Sequence, residues 1–337
     1  MAPFSIYAKS SGTDPVSLVK SKTEQINNSE PVVAVDIGGL ILKNPVMTAS
    51  GTFGYGKEYA PYIDLNRLGA LIVKGLSLEP RKGNPPPRIM ETPCGMLNAI
   101  GMENVGVRAF IDEKLPFLRP FDVAIIANIF GETIDEYKKI AAILSAAEGV
   151  HGLEINISCP NVKKGGIAFG AHPDTAYEVT GGVKSLTDLP VIVKLTPNAG
   201  DIAEIAESVE AAGADAVSLI NTLTGMSVDV EQRVPHLKNI TGGLSGPAIR
   251  PIALSMVWEV VKRVSIPVIG VGGIMDANDV LEFLIVGARA VQIGTASFIN
   301  PRATLDILEG IDNYLKRHHI TDINDLIGTL RDGCPTS

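Results

Sequence analysis

Short β-branched runs recur along this chain at a spacing that leaves room for one helix between each pair, and this rhythm restricts the fold more than any other feature. The runs are "PVMTASG" at 45–51, "ALIVKGL" at 70–76, "VAIIANIF" at 123–130, "GLEINIS" at 152–158, "PVIVKLT" at 190–196, "AVSLINT" at 216–222, "PVIGVGG" at 267–273 and "AVQIGTA" at 290–296. Between them lie segments such as "TIDEYKKIAAILSAAEG", "DIAEIAESVEAAG" and "DANDVLEFLIVG", with apolar residues at three- and four-residue spacing and a closing Gly. Strands joined through helices must run parallel, and eight such units match the roughly 250 residues of a closed (β/α)8 TIM barrel. A doubly wound open sheet is the alternative. It would place its Gly-rich turn after the first strand, whereas the densest Gly turns here follow the seventh and eighth.

The expected organisation is a polar N-terminal extension over 1–32, a barrel over 33–316, and a C-terminal helix and tail over 317–337, with longer insertions around 78–105 and 223–245. A short amphipathic helix around Val16 to Ile26 is compatible with the extension. The composition, 45% hydrophobic and 20% charged, is that of an ordinary globular enzyme. A formal net charge of -8 argues against gathering nucleic acid or anionic lipid through the overall field. The three cysteines, Cys94, Cys159 and Cys334, form no C-x-x-C pair, so a reducing cytoplasm is the expected setting. No apolar run has the length of a membrane span, so no membrane association is expected.

In such barrels the reactive groups sit where strands end at their carboxyl side. That filter collects Ser50, Lys74, Asn128, Asn156, Cys159, Lys194, Asn221, Thr222, Gly272, Gly273, Gly294 and Thr295. Lys and Asn are depleted from ordinary strands, so their recurrence at equivalent places is poorly explained by packing. Lys74 and Lys194 reaching into one mouth would repel unless something electron-rich lay between them, which implies an anion. "GVGG" and "IGTA", after consecutive strands, favour a phosphate held by backbone N–H groups. "GGLSG" at 242–246 adds a further glycine-rich loop.

The five histidines are not grouped at strand ends, so neither a histidine metal site nor a Ser-His-Asp triad is expected. Cys159 is then the leading proton acceptor, followed by the hydroxyls of Ser50 and Thr222. Alternation on the fourth strand turns Glu154, Asn156 and Ser158 inward. Cys159 follows the strand on a loop.

The motifs "NISCPN", "KLTPN", "INTLTG", "ITGGLSGPAIRP", "PVIGVGGI" and "GMLNAIGMEN" closely resemble dihydroorotate dehydrogenase, in order, over roughly residues 33 to 312. Cysteine in "NISCPN" resembles class 1 rather than the membrane-bound quinone-using class, and "GMLNAIGMEN" with "INTLTG" resembles class 1B, the NAD-linked catalytic subunit. The resemblance implies FMN contacted by Ser50, Lys74, Gly75, Asn128, Asn156, Lys194, Ile220, Gly246, Gly272, Gly273, Gly294 and Thr295. It implies orotate held by Asn98, Ala99, Ile100, Gly101 and Met102 with Lys74, Asn156, Asn221 and Thr222.

Cys159 would be the base, while Lys194 would answer the negative charge of reduced flavin and Lys74 would lie near both ligands. This chain has neither a cysteine set for an iron-sulfur cluster nor a first-strand G-x-G-x-x-G turn. The resemblance supplies instead a partner subunit carrying FAD and an iron-sulfur centre, in a heterotetramer built on a dimer of this chain. The N-terminal extension departs from the compact class 1B start. Three alternatives stand beside this one: a fumarate-using class 1A enzyme, a relative of dihydropyrimidine dehydrogenase, which "SCP", "KLTPN" and "SGPAIRPIAL" also resemble, and a non-catalytic barrel binding a phosphate ligand.

Overall fold

A computed structural model of the chain describes residues 30–158, 160–161, 167–331 and 333. Cys159 and the helix expected around Val16 to Ile26 lie outside the described residues. Eight parallel strands close into a barrel in sequence order: β1 Val46–Thr48, β2 Ala70–Ile72, β3 Ala124–Ile129, β4 Gly152–Asn156, β5 Val191–Lys194, β6 Ala216–Leu219, β7 Val268–Val271 and β8 Ala290–Ile293. Each falls inside one of the eight runs read from the sequence. In β5 to β8 every residue is buried, because the barrel interior covers one face and the helices cover the other.

The longer helices follow from local capping as well as apolar periodicity. They are α1 Ile134–Ser145, α2 Pro173–Lys184, α3 Ile202–Ala211, α4 Arg250–Val261, α5 Ala277–Ile285 and α6 Ala303–Arg317. Thr133 accepts from Glu136 N at the start of α1, Asp201 accepts from Ala203 N and Glu204 N at α3, and Asp276 with Asp279 forms a capping box at α5. Each cap satisfies amide groups that a helix start otherwise leaves without partners.

The alternation is imperfect at its beginning. The β1–β2 connection has no α-helix, only turns and the 3-10 turn Leu65–Arg67, because Gly51, Gly54, Gly56 and Pro61 interrupt any helical run there. Its core contact is instead Phe53 stacked on Tyr59, with ring centroids 3.9 Å apart. Between β2 and β3 the helical stretch Val107–Leu118 takes a π-helical form over Phe110–Lys114. Beyond α6 the described chain holds one 3-10 turn, Ile323–Leu326. Among the described residues no helix is long and apolar enough to cross a membrane.

The two expected insertions meet. Strands Ile89–Thr92 and Gly95–Asn98 from the first join Leu223–Met226 and Thr241–Ser245 from the second in one four-stranded antiparallel sheet. Leu223, Leu244, Leu97 and Met90 stand opposite one another across it, so an apolar seam fixes the register. Leu97 is fully enclosed there.

Candidate active site

The floor of the site is built from inward-pointing residues of the barrel strands. Glu154 on β4 is completely buried and is surrounded by donors. Asn128 Nδ2 from β3 donates to its Oε2 at 2.6 Å, and Ser218 Oγ from β6 donates to its Oε1 at 2.8 Å. Gln292 Nε2 from β8 donates to the same Oε1. Lys194 Nζ, at the end of β5, donates to Gln292 Oε1 at 3.2 Å and lies 3.8 Å from Glu154 Oε2.

This network revises the electrostatic expectation. Lys194 is answered from within the barrel by Glu154, so its presence alone does not demand an anionic ligand. Lys74 differs: it follows β2, its backbone N donates to Gly54 O at 2.9 Å, and its ammonium has no hydrogen bond or ion pair among the described residues. The positive charge available to a ligand in the mouth is therefore centred on Lys74.

Around the rim, amides lock loop to loop. Asn221 Nδ2 donates to Asn156 Oδ1 at 3.3 Å, and Asn221 Oδ1 accepts from Thr222 N at 2.8 Å. Tyr137 Oη from α1 donates to the carbonyl of Asn156 at 2.7 Å, fixing the end of β4. Asn198, in the quoted "KLTPN" but given no role from sequence, donates to Thr222 O at 2.9 Å and accepts from Thr224 N at 3.0 Å. It pins the second insertion to the end of β5.

The opposite side of the mouth is glycine-built. Gly272 and Gly273 follow β7 with φ of 128° and 73°, and a Cβ at 273 would stand 2.7 Å from Arg250 N. Only glycine combines that conformation with so close an approach to the start of α4. Gly294 and Thr295 follow β8. Thr295 Oγ1 donates to Ser245 Oγ at 2.8 Å, which brings the covering sheet and Gly246 against this end.

One cavity of about 910 Å³ gathers these groups. Its walls include Ser50, Lys74, Gly75, Asn128, Asn156, Lys194, Ile220, Asn221 and Thr222 from the strand ends, and Gly246, Gly272, Gly273, Gly294 and Thr295 from the glycine-built end. Asn98, Ala99, Ile100, Gly101 and Met102 face it from the covering sheet and the loop after it. Thus every described residue expected at the site borders one space, of the size that small-molecule sites occupy. The loop is held by backbone pairing: Ala99 N donates to Arg88 O at 2.7 Å, and Asn84 N donates to Ile100 O at 2.9 Å.

Two buried polar atoms in this region have no hydrogen-bond partner among the described residues, Asn128 Oδ1 and Ser158 Oγ. Glu154 is expected from sequence to face inward but is given no role there, and Ser218 and Gln292 are not singled out. The available signal was a polar residue flanked on both sides by apolar ones in each of three runs, "GLEIN", "AVSL" and "AVQI". Among the described residues there is no group of His, Cys, Asp and Glu able to hold a metal ion.

Comparison with known proteins gives a consistent picture. A family model described as "Dihydroorotate dehydrogenase" matches residues 32–315. A protein from Thermoanaerobacter sp. (strain X514), named "Dihydroorotate dehydrogenase B (NAD(+)), catalytic subunit", is 59% identical over 297 residues, covering 88% of this chain and 98% of that protein. Proteins of the same name from Geotalea daltonii and Trichlorobacter lovleyi are 57% and 58% identical over 303 and 301 residues, each covering 99% of the relative.

Proposed function

The chain belongs to the dihydroorotate dehydrogenase family, and on that basis we propose how its residues share the work of oxidising dihydroorotate. The reaction converts dihydroorotate to orotate in pyrimidine biosynthesis, with electrons leaving to NAD through a partner subunit. The observation that carries the residue assignment is the single cavity in which the strand-end Lys and Asn groups face the Asn98–Met102 loop.

FMN is the flavin we assign to this mouth, where it supplies the two-electron acceptor for the hydride leaving C6 of the substrate. The residues fit it. Asn128 borders the cavity, and its Oδ1, without a partner among the described residues, lies against Gly75, where a Cβ would stand 2.9 Å from that same oxygen. A flavin has ring N–H groups to offer such an acceptor. The glycine-built end at Gly272, Gly273, Gly294 and Thr295, with Gly246 opposite, leaves backbone space for a phosphate. Ser50, Lys74, Asn156, Lys194 and Ile220 complete the contacts of this proposal.

Substrate recognition falls to amides, which suit a pyrimidine because each offers both a donor and an acceptor. Asn98, Asn156 and Asn221 with Thr222 and the backbone of Ala99, Ile100, Gly101 and Met102 orient the ring, and Lys74 answers the carboxylate. Cys159 takes the proton from C5. A free thiol has a pKa near 8.5, and the few per cent of thiolate at neutral pH suffices for a well-placed base. Lys194 holds positive charge at the floor, where negative charge accumulates as the substrate is oxidised.

The partner subunit in this proposal carries FAD and an iron-sulfur centre, in a heterotetramer built on a dimer of this chain, and the setting is cytoplasmic. The decisive experiment is an anaerobic titration of the full chain with dihydroorotate, followed by NAD with its partner subunit, or by fumarate. Bleaching of a yellow protein by dihydroorotate, and recovery of colour through the partner with NAD alone, is the expected result. Recovery with fumarate alone would place the chain in the other class, and bleaching by dihydrouracil instead would move the substrate assignment.

A further inference from the structure

Barrels of this kind are filled by layers of side chains drawn from alternate strands, with Val, Ile and Leu dominating. Here the alternate strands β4, β6 and β8 contribute Glu154, Ser218 and Gln292, and both neighbours donate to one carboxylate oxygen. The other oxygen receives Asn128 Nδ2 and faces Lys194 Nζ. Every neighbour is a donor, which is the environment an ionised, acceptor-only carboxylate requires. The side chains of Glu154 and Lys194 are 0% and 6% exposed.

Stability does not account for such a layer. Removing a carboxylate and an ammonium from water costs about what their attraction returns, and apolar residues of equal volume would serve the barrel as well or better. A local rule broken in this way marks function more often than packing. Position narrows the function: Lys194 and Asn128 border the cavity, whereas Glu154 does not and lies in the layer that supports them.

We propose that Glu154 is a positioning residue, the counter-charge that holds the Lys194 ammonium at the cavity floor and limits the positive charge offered to the bound flavin. The inference rests on the flavin reading above. Two electrons and one proton convert a neutral oxidised flavin to a reduced form bearing one negative charge at neutral pH. A bare ammonium would favour that reduced form strongly and retain its electrons. A paired ammonium favours it moderately, which suits a protein whose electrons must reach NAD, a weak oxidant.

The test is the midpoint potential of the FMN-loaded full chain at pH 7, measured against a reference dye during slow anaerobic reduction by xanthine and xanthine oxidase. Four proteins are compared: the parent, Glu154→Gln, Lys194→Gln and the double variant. Glu154→Gln is expected to raise the ratio of affinities for reduced over oxidised flavin about tenfold, a shift of about 30 mV upward for a two-electron couple. Lys194→Gln is expected to shift downward, and with no ammonium left to pair, the double variant is expected to stay close to it. If Glu154→Gln alone fails to fold, Glu154→Asp, which keeps the charge but draws it back from the ammonium, must show an upward shift of smaller size. A purely structural role would lower stability and leave the potentials equal. Equal potentials, or a downward shift on removing the carboxylate, overturn the proposal while leaving the flavin reading intact. A parent chain that takes up no FMN sinks both.

Discussion

Asn221 Nδ2 donates to Asn156 Oδ1 across 3.3 Å, tying the end of β6 to the end of β4 on the same side of the barrel mouth. Both amides are half-buried in the cavity wall; Asn156 Oδ1 also accepts from Ser158 N and Asn221 Oδ1 from Thr222 N, while Asn156 Nδ2 has no hydrogen bond among the described residues. Replacing either by Ala removes one of the proposed hydrogen bonds to substrate and frees its neighbour. A loss of about 10- to 100-fold in kcat/KM for dihydroorotate is expected from each, with the double variant losing less than the product of the two, measured by steady-state kinetics.

Cys159→Ala is expected to slow reduction of the bound flavin by dihydroorotate by about 10² to 10⁴ while leaving flavin content unchanged. Cys159→Ser, which keeps a weaker proton acceptor, is expected to fall between. Anaerobic rapid mixing measures both. Reduction at the parent rate in Cys159→Ala would remove the thiol from the mechanism.

Asp201 accepts from Ala203 N at 2.9 Å and Glu204 N at 3.2 Å at the start of α3, on the surface and away from the cavity. Asp201→Ala is expected to cost about 1 kcal/mol of unfolding free energy with kinetics unaltered. Urea denaturation followed by circular dichroism reads the first, and turnover the second.

Gly273→Ala places a Cβ 2.6 Å from Arg250 Cβ at a φ of 73°. The strain and the clash together are expected to destabilise the chain by ~2 kcal/mol or more and to weaken uptake of FMN. Thermal melts with and without added FMN measure both, and an Ala variant that binds FMN as the parent does would remove the glycine-built end from the proposed phosphate contacts.

Burial raises the pKa of Tyr55 above its ordinary value, with Glu58 and Glu103 adding to the rise and the backbone of Val105 opposing it. Burial also raises Tyr59, again with Glu58 adding. A raised folded pKa means that the unfolded chain releases the proton first. Their contribution is therefore intact below about pH 10 and is lost as pH climbs from there toward the folded value. Tyr55→Phe is expected to flatten part of the alkaline decline, seen by comparing urea midpoints at pH 9 and pH 11 for parent and variant.

The barrel was legible because strands buried on both faces are rich in Val, Ile, Leu and Ala, and the eight short runs are so without competing helical periodicity. The strand-end residues were legible for the opposite reason, since Lys74, Asn128, Asn156 and Lys194 contradict their apolar surroundings. The covering sheet was not. "TGGLS" at 241–245 has no strand propensity of its own, and becomes a strand only because Leu97 and Leu223 sit on either side of Leu244. The Glu154 network was hidden by separation: Gln292 lies 138 residues from the carboxylate it meets, and no local pattern relates them.

That covering sheet has a consequence for the order in which the molecule is born. Its central pair joins Gly95–Asn98 to Thr241–Ser245, and β3 to β6 are synthesised between the two. Such distant pairing bears the full entropic cost of chain closure and belongs late in folding. A nascent chain that has emerged only through β6 still lacks Thr241–Ser245, and with it one wall of the cavity. An enclosed cavity is therefore a privilege of the finished polypeptide.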